Sequence, residues 1–540
     1  MTNNGIMYKM KKIPNANYDY YDVPELRNLK ELTELRKDSA AVAYMYREDG
    51  KVIRKTYHEM YEDVKFLAGY FYTNYRGKHA THIALMGENS YAWLVCSLAI
   101  VISGNVAVAI DKDADDETLK RQLKLADVKA VYYSAGYCDK VPNIFRNSHP
   151  LEDWEQYAKA GRKTANKSQQ DPEADAMIFF TSGTTGFSKA VVLSQKNICA
   201  DMYGAMSIFS PNGRVVDFLP FHHAFGYVTA TLMPYAYGVT TMISSSFKHL
   251  LDDFKLTKPH TVFAVPMVVE TLYRQIWRTA RREKRDGILK FGLKISNGVS
   301  KIGIDLRGKL FKSLQNEFGG KLEYIICGGA RLEPQYVKWF RSIGVEILNG
   351  YGITECSPVV AVNRPHFKRD GSVGQLCRGV HIDTVEEEIV VSGDIVMKGY
   401  YKDRKATEEV LKNGRFYTGD LGYVDDDGFL WITGRKKDLI ILSNGENVSP
   451  DEIEGVLKRD KGVSEVVVYE SNNRIIASIY PNEGYMGDQD YFDELIYEYN
   501  KDKPKNRQIA LVKLRTKEFP RNNNTKIMRK QVIEEDASEE

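Results

Sequence analysis

The sequence is short of cysteine. Its six cysteines, at 96, 138, 199, 327, 356 and 377, form no C-x-x-C pair and no spacing suited to a zinc site or a disulfide framework. They read as reduced, mostly buried thiols of a cytoplasmic protein. An excess of one charge is missing too: a formal net charge of +3 over 540 residues does not point to nucleic acid. No apolar stretch follows the basic residues of MTNNGIMYKMKK, so no secretory signal is expected. Long hydrophobic runs are scarce. The stretch of membrane-spanning length, Ala92 to Ile110, is cut by Ser103-Gly104-Asn105. It reads as a buried helix ending at Gly104 and a buried strand, VAVAI, rather than a transmembrane helix. No internal repeat is present.

What remains is an ordinary globular composition, 43% hydrophobic and 27% charged, in a chain long enough for two or more domains. A polar, tyrosine-rich arm precedes Ala41. VAYMY and KVIRKTY then flank Asp49-Gly50 as a hairpin. HEMYEDVKFLAGYFYTNY has helical periodicity, and HIALMG, KAVYY and AMIFF read as strands. Strands separated by helical stretches predict an α/β fold with mostly parallel sheets. From about residue 371 the pattern changes to short β runs and glycine turns, and a smaller segment follows Arg435. The tail EEDASEE has the composition of a disordered end.

The chain is organised around Ile178–Ala190, IFFTSGTTGFSKA. An apolar strand runs into a stretch in which seven of eight residues, Thr181 to Ser188, are Thr, Ser or Gly. Backbone N–H groups and hydroxyls there suit an anion, and Lys189 adds a positive charge. The spacing is not that of a Walker A loop. By itself the stretch fits a hairpin tip or a linker equally well.

Further glycine turns follow apolar strands at Cys327-Gly328-Gly329-Ala330 and Asn349-Gly350-Tyr351-Gly352. Ligands of open α/β sheets bind at such strand ends. Glycine lets a planar base approach the backbone, and Tyr351 is placed to stack on it. Thr354 and Glu355 come next, and a carboxylate beside a triphosphate is how Mg²⁺ is usually held. Asp420, in YTGD, suits a ribose diol, although an ordinary turn aspartate looks the same. Gly434–Asp438 reads equally as a charged linker, and Lys526, in PRNNNTKIMRK, as a solvated lysine.

TSGTTG…K, LP…HHAFG, GGA, YGITE, YTGDLG, GRKKD, NGENVSPDEIE and the terminal Lys526 occur in this order between about residues 40 and 530. Together they resemble the adenylate-forming superfamily of acyl-CoA synthetases, adenylation domains and luciferases. VPMVVETLYRQI, with a basic helical insertion before Gly328, is most similar to long-chain fatty acyl-CoA synthetases. The resemblance implies a large N-terminal domain, 1–436, of stacked mostly parallel sheets with a small β-barrel-like subdomain at about 371–436. A mobile α+β C-terminal lid, 437–540, follows. It implies ATP, Mg²⁺ and a carboxylic acid, with the thiol of coenzyme A or of a carrier protein as acceptor.

The resemblance also implies the site. Thr181, Ser182, Gly183, Thr184, Thr185, Gly186 and Lys189 hold the β- and γ-phosphates. Gly328, Gly329, Ala330 and Arg331 flank the adenine together with Gly350, Tyr351 and Gly352. Thr354 contacts the α-phosphate, Glu355 holds Mg²⁺, and Asp420 and Arg435 bind ribose. Lys526 bridges carboxylate and α-phosphate, His223 stands between the acyl pocket and the thiol tunnel, Lys437 is the hinge, and Gly445 lines the tunnel. Three departures stand out. Thr525 and Ala190 occupy places where the family has glycine, and Phe187-Ser188 stands where it has Pro or Ser-Pro. These leave a degenerate nucleotide-binding protein as an alternative. Amino acid activation is disfavoured, because no acid lies between Phe221 and Thr241 to hold an amine; an aryl acid stays open. The basic helix around Arg274–Arg285 reads as a solvated face, with peripheral membrane contact as the other reading.

Overall fold

The structure, a computed structural model, describes residues 10–11, 20–75, 77, 79–181, 188–211, 213–245, 247–300, 302–441, 447–472, 474–521 and 527–538. These divide into two compact units. One comprises Met1–Ile382, Val391–Tyr417 and Asp425–Leu430, and the other Asp383–Val390, Thr418–Val424 and Trp431–Glu540.

The first unit is a mixed α/β assembly built on two large sheets. Among the described residues, one sheet has seven strands, in the order Gly399–Tyr400, Lys189–Ser194, Asp175–Thr181, Val106–Ile110, His82–Met86, Ala130–Tyr133 and Ser148–Pro150. From Asp175–Thr181 onward its pairings are parallel, and the first two are antiparallel. Val106–Ile110 and His82–Met86 are buried at every position, as parallel strands covered on both faces must be. The other sheet has nine strands, in the order Gln375–Leu376, Val359–Val362, Glu346–Gly352, Tyr324–Cys327, Thr261–Ala264, Val215–Asp217, Thr241–Ile243, Val42–Glu48 and Lys51–Thr56.

Local chemistry explains the element ends. Asp49 and Gly50 both have positive φ, 47° and 74°, so the two-residue turn between Val42–Glu48 and Lys51–Thr56 matches the twist of the strands it joins. Helix Tyr57–Asn74 starts at a capping box between Thr56 and Glu59. The Ala92–Ile110 stretch divides as its central Ser-Gly-Asn predicts. Helix Tyr91–Ile102 is buried throughout, Gly104 turns the chain at φ +84°, and strand Val106–Ile110 follows. Among the described residues no helix is long and apolar enough to cross a membrane.

Parallel register places several strand ends at one sheet edge. Ala264 pairs with Cys327, and Cys327 with Asn349, so the turns after these strands open on the same side. DIVMKGYY, read from sequence as a short β run, contributes only Gly399–Tyr400 to a strand. That strand pairs with Lys189–Ser194 in the seven-stranded sheet.

In the second unit, strands Val463–Ser471, Arg474–Pro481 and Ile509–Leu514 form a sheet. Helices Pro450–Leu457 and Gln489–Asn500 pack on it through Ile453, Leu457, Phe492 and Ile496.

Candidate active site

Thr181 and Lys189 are register partners across the hairpin of Asp175–Thr181 and Lys189–Ser194. Ser182, Gly183, Thr184, Thr185, Gly186 and Phe187 lie outside the described residues. Ala190 sits within the second strand, 1% exposed, in the apolar cluster of Val108, Ile178 and Val192. A methyl group suits that place, so alanine there is a core residue.

Lys189 and Glu355 are brought together by a residue that the motifs did not mark. The Tyr400 ring lies beneath the Lys189 ammonium, with Nζ 4.5 Å from the ring centroid. Its hydroxyl donates to Glu355 Oε1 at 2.9 Å. Burial, then the Glu355 charge, push the phenol well above its ordinary pKa, so it stays protonated and remains a donor. The signal available in the sequence was the Gly-Tyr-Tyr of KGYY, which has the look of any surface β run.

Thr354 and Glu355 occupy a short 3₁₀ turn, Thr354–Cys356, just beyond strand Glu346–Gly352. The Glu355 carbonyl accepts from the Met397 amide at 2.8 Å, and Ser357 Oγ donates to the Ile395 carbonyl at 2.7 Å. Asn197 Nδ2 in turn holds the Asp394 and Val396 carbonyls at 2.7 and 2.9 Å. The carboxylate is thus anchored through two further segments. Among the described residues no three His, Cys, Asp or Glu side chains cluster so as to cage a metal. A single carboxylate fits magnesium that takes its other oxygens from phosphates and water.

Gly328, Gly329 and Ala330 follow strand Tyr324–Cys327, with Arg331 exposed beside Glu333 at 3.5 Å. Gly350, Tyr351 and Gly352, read from sequence as a turn, instead continue strand Glu346–Gly352 and pair antiparallel with Val359–Val362. Two of the glycines have a reason other than the one read from sequence. A Cβ on Gly352 would stand 1.8 Å from the Pro358 carbonyl oxygen, and one on Gly328 would be 3.1 Å from the Phe225 ring. Protein, rather than a planar base, fills the space that these two leave. Sequence reasoning also missed Asn349. Its Oδ1 is buried, with no hydrogen-bond partner among the described residues, next to Gly350 and Tyr351. Such an acceptor calls for a donor.

His223 lies in the loop after Pro220, its ring 4.2 Å from that of His222. Burial keeps the His222 imidazole below its ordinary pKa against the pull of Asp111, whose Oδ1 is 3.5 Å from Nε2. Asn89 ties the loop down: its Nδ2 donates to the Leu219 carbonyl at 2.7 Å, and its Oδ1 accepts from the Phe221 amide at 3.0 Å. The apolar run beyond forms a wide helical turn, Phe225–Leu232, of the π type.

In the second unit the two residues assigned to ribose meet. Asp420 Oδ1, on strand Arg415–Val424, is 2.7 Å from Arg435 Nε, on strand Leu430–Arg435. The Asp420 side chain is 3% exposed and that of Arg435 41%, so the carboxylate is sheltered behind the guanidinium. Thr418 Oγ1 accepts from the Asp420 amide at 3.0 Å, and Gly419, at φ +70°, turns the chain between them. Lys437 is exposed in the short turn Lys436–Asp438. Gly445, Thr525 and Lys526 lie outside the described residues. Arg529, beyond Lys526, makes a bidentate pair with buried Glu454 at 2.6 and 2.7 Å.

Two large sheets with glycines towards the ends of neighbouring parallel strands, and a lysine and a carboxylate bridged by Tyr400, are the frame of an adenylate-forming enzyme. The chain belongs to the AMP-binding enzyme family: that family's model matches residues 31–401, and the AMP-binding enzyme C-terminal domain matches 437–539. Its relatives are named as long-chain-fatty-acid–CoA ligases, which are AMP-forming acid–thiol ligases. The long-chain-fatty-acid–CoA ligase FadD15 of Mycobacterium bovis is 28% identical over 422 residues, covering 72% of this chain and 70% of that one. The solved fatty acyl CoA synthetase of Mycobacterium tuberculosis superposes with a TM-score of 0.67 at 21% identity, over 95% of this chain and 99% of that one. O-succinylbenzoate coenzyme A synthetase of Bacillus subtilis, solved with ATP and a magnesium ion, gives 0.71 at 21%, over 93% and 99%. At this identity the two structures speak for the fold alone.

Proposed function

We propose that the chain activates a fatty acid with ATP and passes the acyl group to coenzyme A. The observation that carries this reading is the Lys189–Tyr400–Glu355 bridge at the strand-end edge. A cation and an anchored carboxylate stand together there, as a polyphosphate with its counter-ion requires. Asn349 Oδ1, an unpartnered acceptor beside Tyr351, suits the exocyclic amine of adenine. The names of relatives such as FadD15 support a long-chain acid.

In the first step an acid carboxylate oxygen attacks the α-phosphorus. A P–O bond forms, the α–β anhydride breaks, and pyrophosphate leaves. Lys189, with Thr181 to Gly186, grips the departing phosphates. Thr354 and Lys526 steady the α-phosphate, and the Asp420–Arg435 pair takes the ribose. Glu355 would hold Mg²⁺, whose charge offsets that of the phosphates. In the second step the thiol sulfur attacks the acyl carbon and forms a C–S bond. The acyl–phosphate C–O bond breaks, AMP leaves, and the thiol proton passes to solvent. His223 lines the meeting place, and a lid hinged at Lys437 brings Gly445 to the thiol. Excluding water protects the mixed anhydride between the steps.

Acid-dependent ATP–pyrophosphate exchange, followed by coenzyme A-dependent AMP release, tests the reading. Exchange that rises with fatty-acid chain length supports it. Exchange only with aryl acids, or release only to a carrier-protein thiol, would redirect it, and ATP binding without exchange on any acid would sink it.

A further inference from the structure

Helix Gln195–Met206 begins where strand Lys189–Ser194 ends, so one continuous backbone joins it to Lys189. It opens in a capping box. Ser194 Oγ accepts from the Asn197 amide at 3.1 Å, and Asn197 Oδ1 accepts from the Ser194 amide at 2.8 Å. The cap engages the Asn197 acceptor and leaves its two N–H donors over. Both go to another segment, to the carbonyls of Asp394 and Val396 at 2.7 and 2.9 Å.

One helical turn further on, and so on the same face, stands Asp201. It is fully buried, and its Oδ1 accepts from the Val359 amide at 2.6 Å. Burial pushes its pKa well above the ordinary aspartate value, so the acid is held neutral. Its Oδ2 has no hydrogen-bond partner among the described residues. A buried acid with a single hydrogen bond is a costly residue in a core, and the Val359 amide is the group it serves.

Both grips close on the surroundings of one residue. Val359 stands four places beyond Glu355. The segment gripped by Asn197 meets Glu355 directly, since the Met397 amide donates to the Glu355 carbonyl and Ser357 Oγ to the Ile395 carbonyl. The same segment runs on to Tyr400, which holds the Glu355 carboxylate. It is also laced to the strand that starts at Lys189. The Lys398 amide donates to the Val192 carbonyl at 3.0 Å, and the Tyr401 amide to the Ala190 carbonyl at 2.8 Å.

We propose that Asn197 and Asp201 are positioning residues that fix Glu355 relative to Lys189, and so set the affinity of the site for a magnesium-bound polyphosphate. This deepens the ligase reading and rests on it. Neither side chain meets the nucleotide. Each acts through the backbone that carries Glu355, as residues behind a metal ligand do.

Three variants separate positioning from plain support of the fold. Asn197→Asp keeps the acceptor of the cap and removes both donors. Asp201→Ala removes the acceptor for Val359, and Asp201→Asn restores it in neutral form. In Asn197→Asp and Asp201→Ala the magnesium concentration for half-maximal pyrophosphate exchange should rise about tenfold. Calorimetric affinity for ATP should fall by a similar factor with magnesium present and stay unchanged without it. Asp201→Asn should match the parent in both measurements. Cys199→Ala, buried on the same helix and carrying none of these bonds, should lower the melting temperature and leave the magnesium dependence alone. A lowered melting temperature with parental magnesium dependence in Asn197→Asp would overturn the proposal, whether or not Asp201→Ala folds. A failure of Asp201→Asn to restore the parental values would overturn it for Asp201. Absence of exchange in the parent with every acid would overturn the ligase reading instead, while the calorimetric comparison would still decide the positioning.

Discussion

A glutamate at a strand end has three rotatable bonds, and fixing them against solvent costs rotamer entropy. At Glu355 the Tyr400 hydroxyl bears that restraint, while the same ring supports the Lys189 ammonium. Tyr400→Phe separates the two roles, because it removes the hydrogen bond and keeps the ring. Pyrophosphate exchange should fall about tenfold, the worth of one hydrogen bond to a charged group. The magnesium concentration needed for half-maximal rate should rise. Tyr400→Leu should fall further, since the cation also loses its aromatic support. Calorimetric titration with ATP, with and without magnesium, gives a reading free of turnover, and the loss in Tyr400→Phe should appear only with magnesium present. Wild-type behaviour in that variant would remove Tyr400 from the site. Lys189 and Glu355 were legible because each stands in a short pattern of unusual composition. Tyr400 was not: its partners lie far away along the chain, and only the antiparallel pairing of Gly399–Tyr400 with Lys189–Ser194 brings them near.

At the scale of elements, strand Val215–Asp217 and the wide turn Phe225–Leu232 are locked through one buried acid. Asp217 is 1% exposed. Its Oδ2 accepts from the Thr231 hydroxyl, and its Oδ1 accepts from the Leu219 amide at 3.2 Å. Burial raises its pKa to about 8, against the lowering effect of those two bonds. The unfolded chain releases this proton near the ordinary aspartate value, whereas the folded chain keeps it up to about pH 8. Unfolding therefore releases a proton throughout that window, and stability falls as pH rises, by about 1.4 kcal/mol per unit. Asp217→Asn mimics the protonated acid. It should flatten the pH dependence of the melting temperature between pH 5 and 8, with the gain over the parent largest at pH 8. Equal slopes in the two proteins would show that Asp217 is ionised in the fold. The strands and most helices were legible because their apolar period differs from their surroundings. The Phe225–Leu232 run is apolar at nearly every position, so it carries no phase from which a helix type can be read. The turn at Gly328–Gly329 was recognised, but Gly350–Gly352 continue a strand, and only the fold shows that Phe225 and the Pro358 carbonyl press on Gly328 and Gly352.

For the molecule as a whole, the proposed chemistry makes two demands on one smaller unit. Adenylation calls for the Lys526 ammonium at an α-phosphate, and thiolysis calls for the Gly445 segment at a thiol. One rigid placement cannot serve both, so in the proposed cycle the part of this unit beyond Lys437 turns about that residue, while Asp420 and Arg435 stay in place. Lys526→Ala should lower acid-dependent pyrophosphate exchange by about a hundredfold or more, the usual cost of one preorganised charge contact. It should leave transfer from supplied acyl-adenylate to coenzyme A nearly intact. Lys437→Pro should do the reverse, because proline fixes φ near −65° and resists the torsion change that a hinge needs. Exchange would persist in that variant while thioester formation slows. The second unit has its own apolar core, around Ile453, Val466, Ile479 and Phe492. Arg529 is locked onto Glu454 within it, so neither change should unfold the unit. Opposite half-reaction losses at matched melting temperatures would establish the alternation. Equal losses in both half-reactions, from either variant, would mean that a single arrangement of the unit supports the whole cycle.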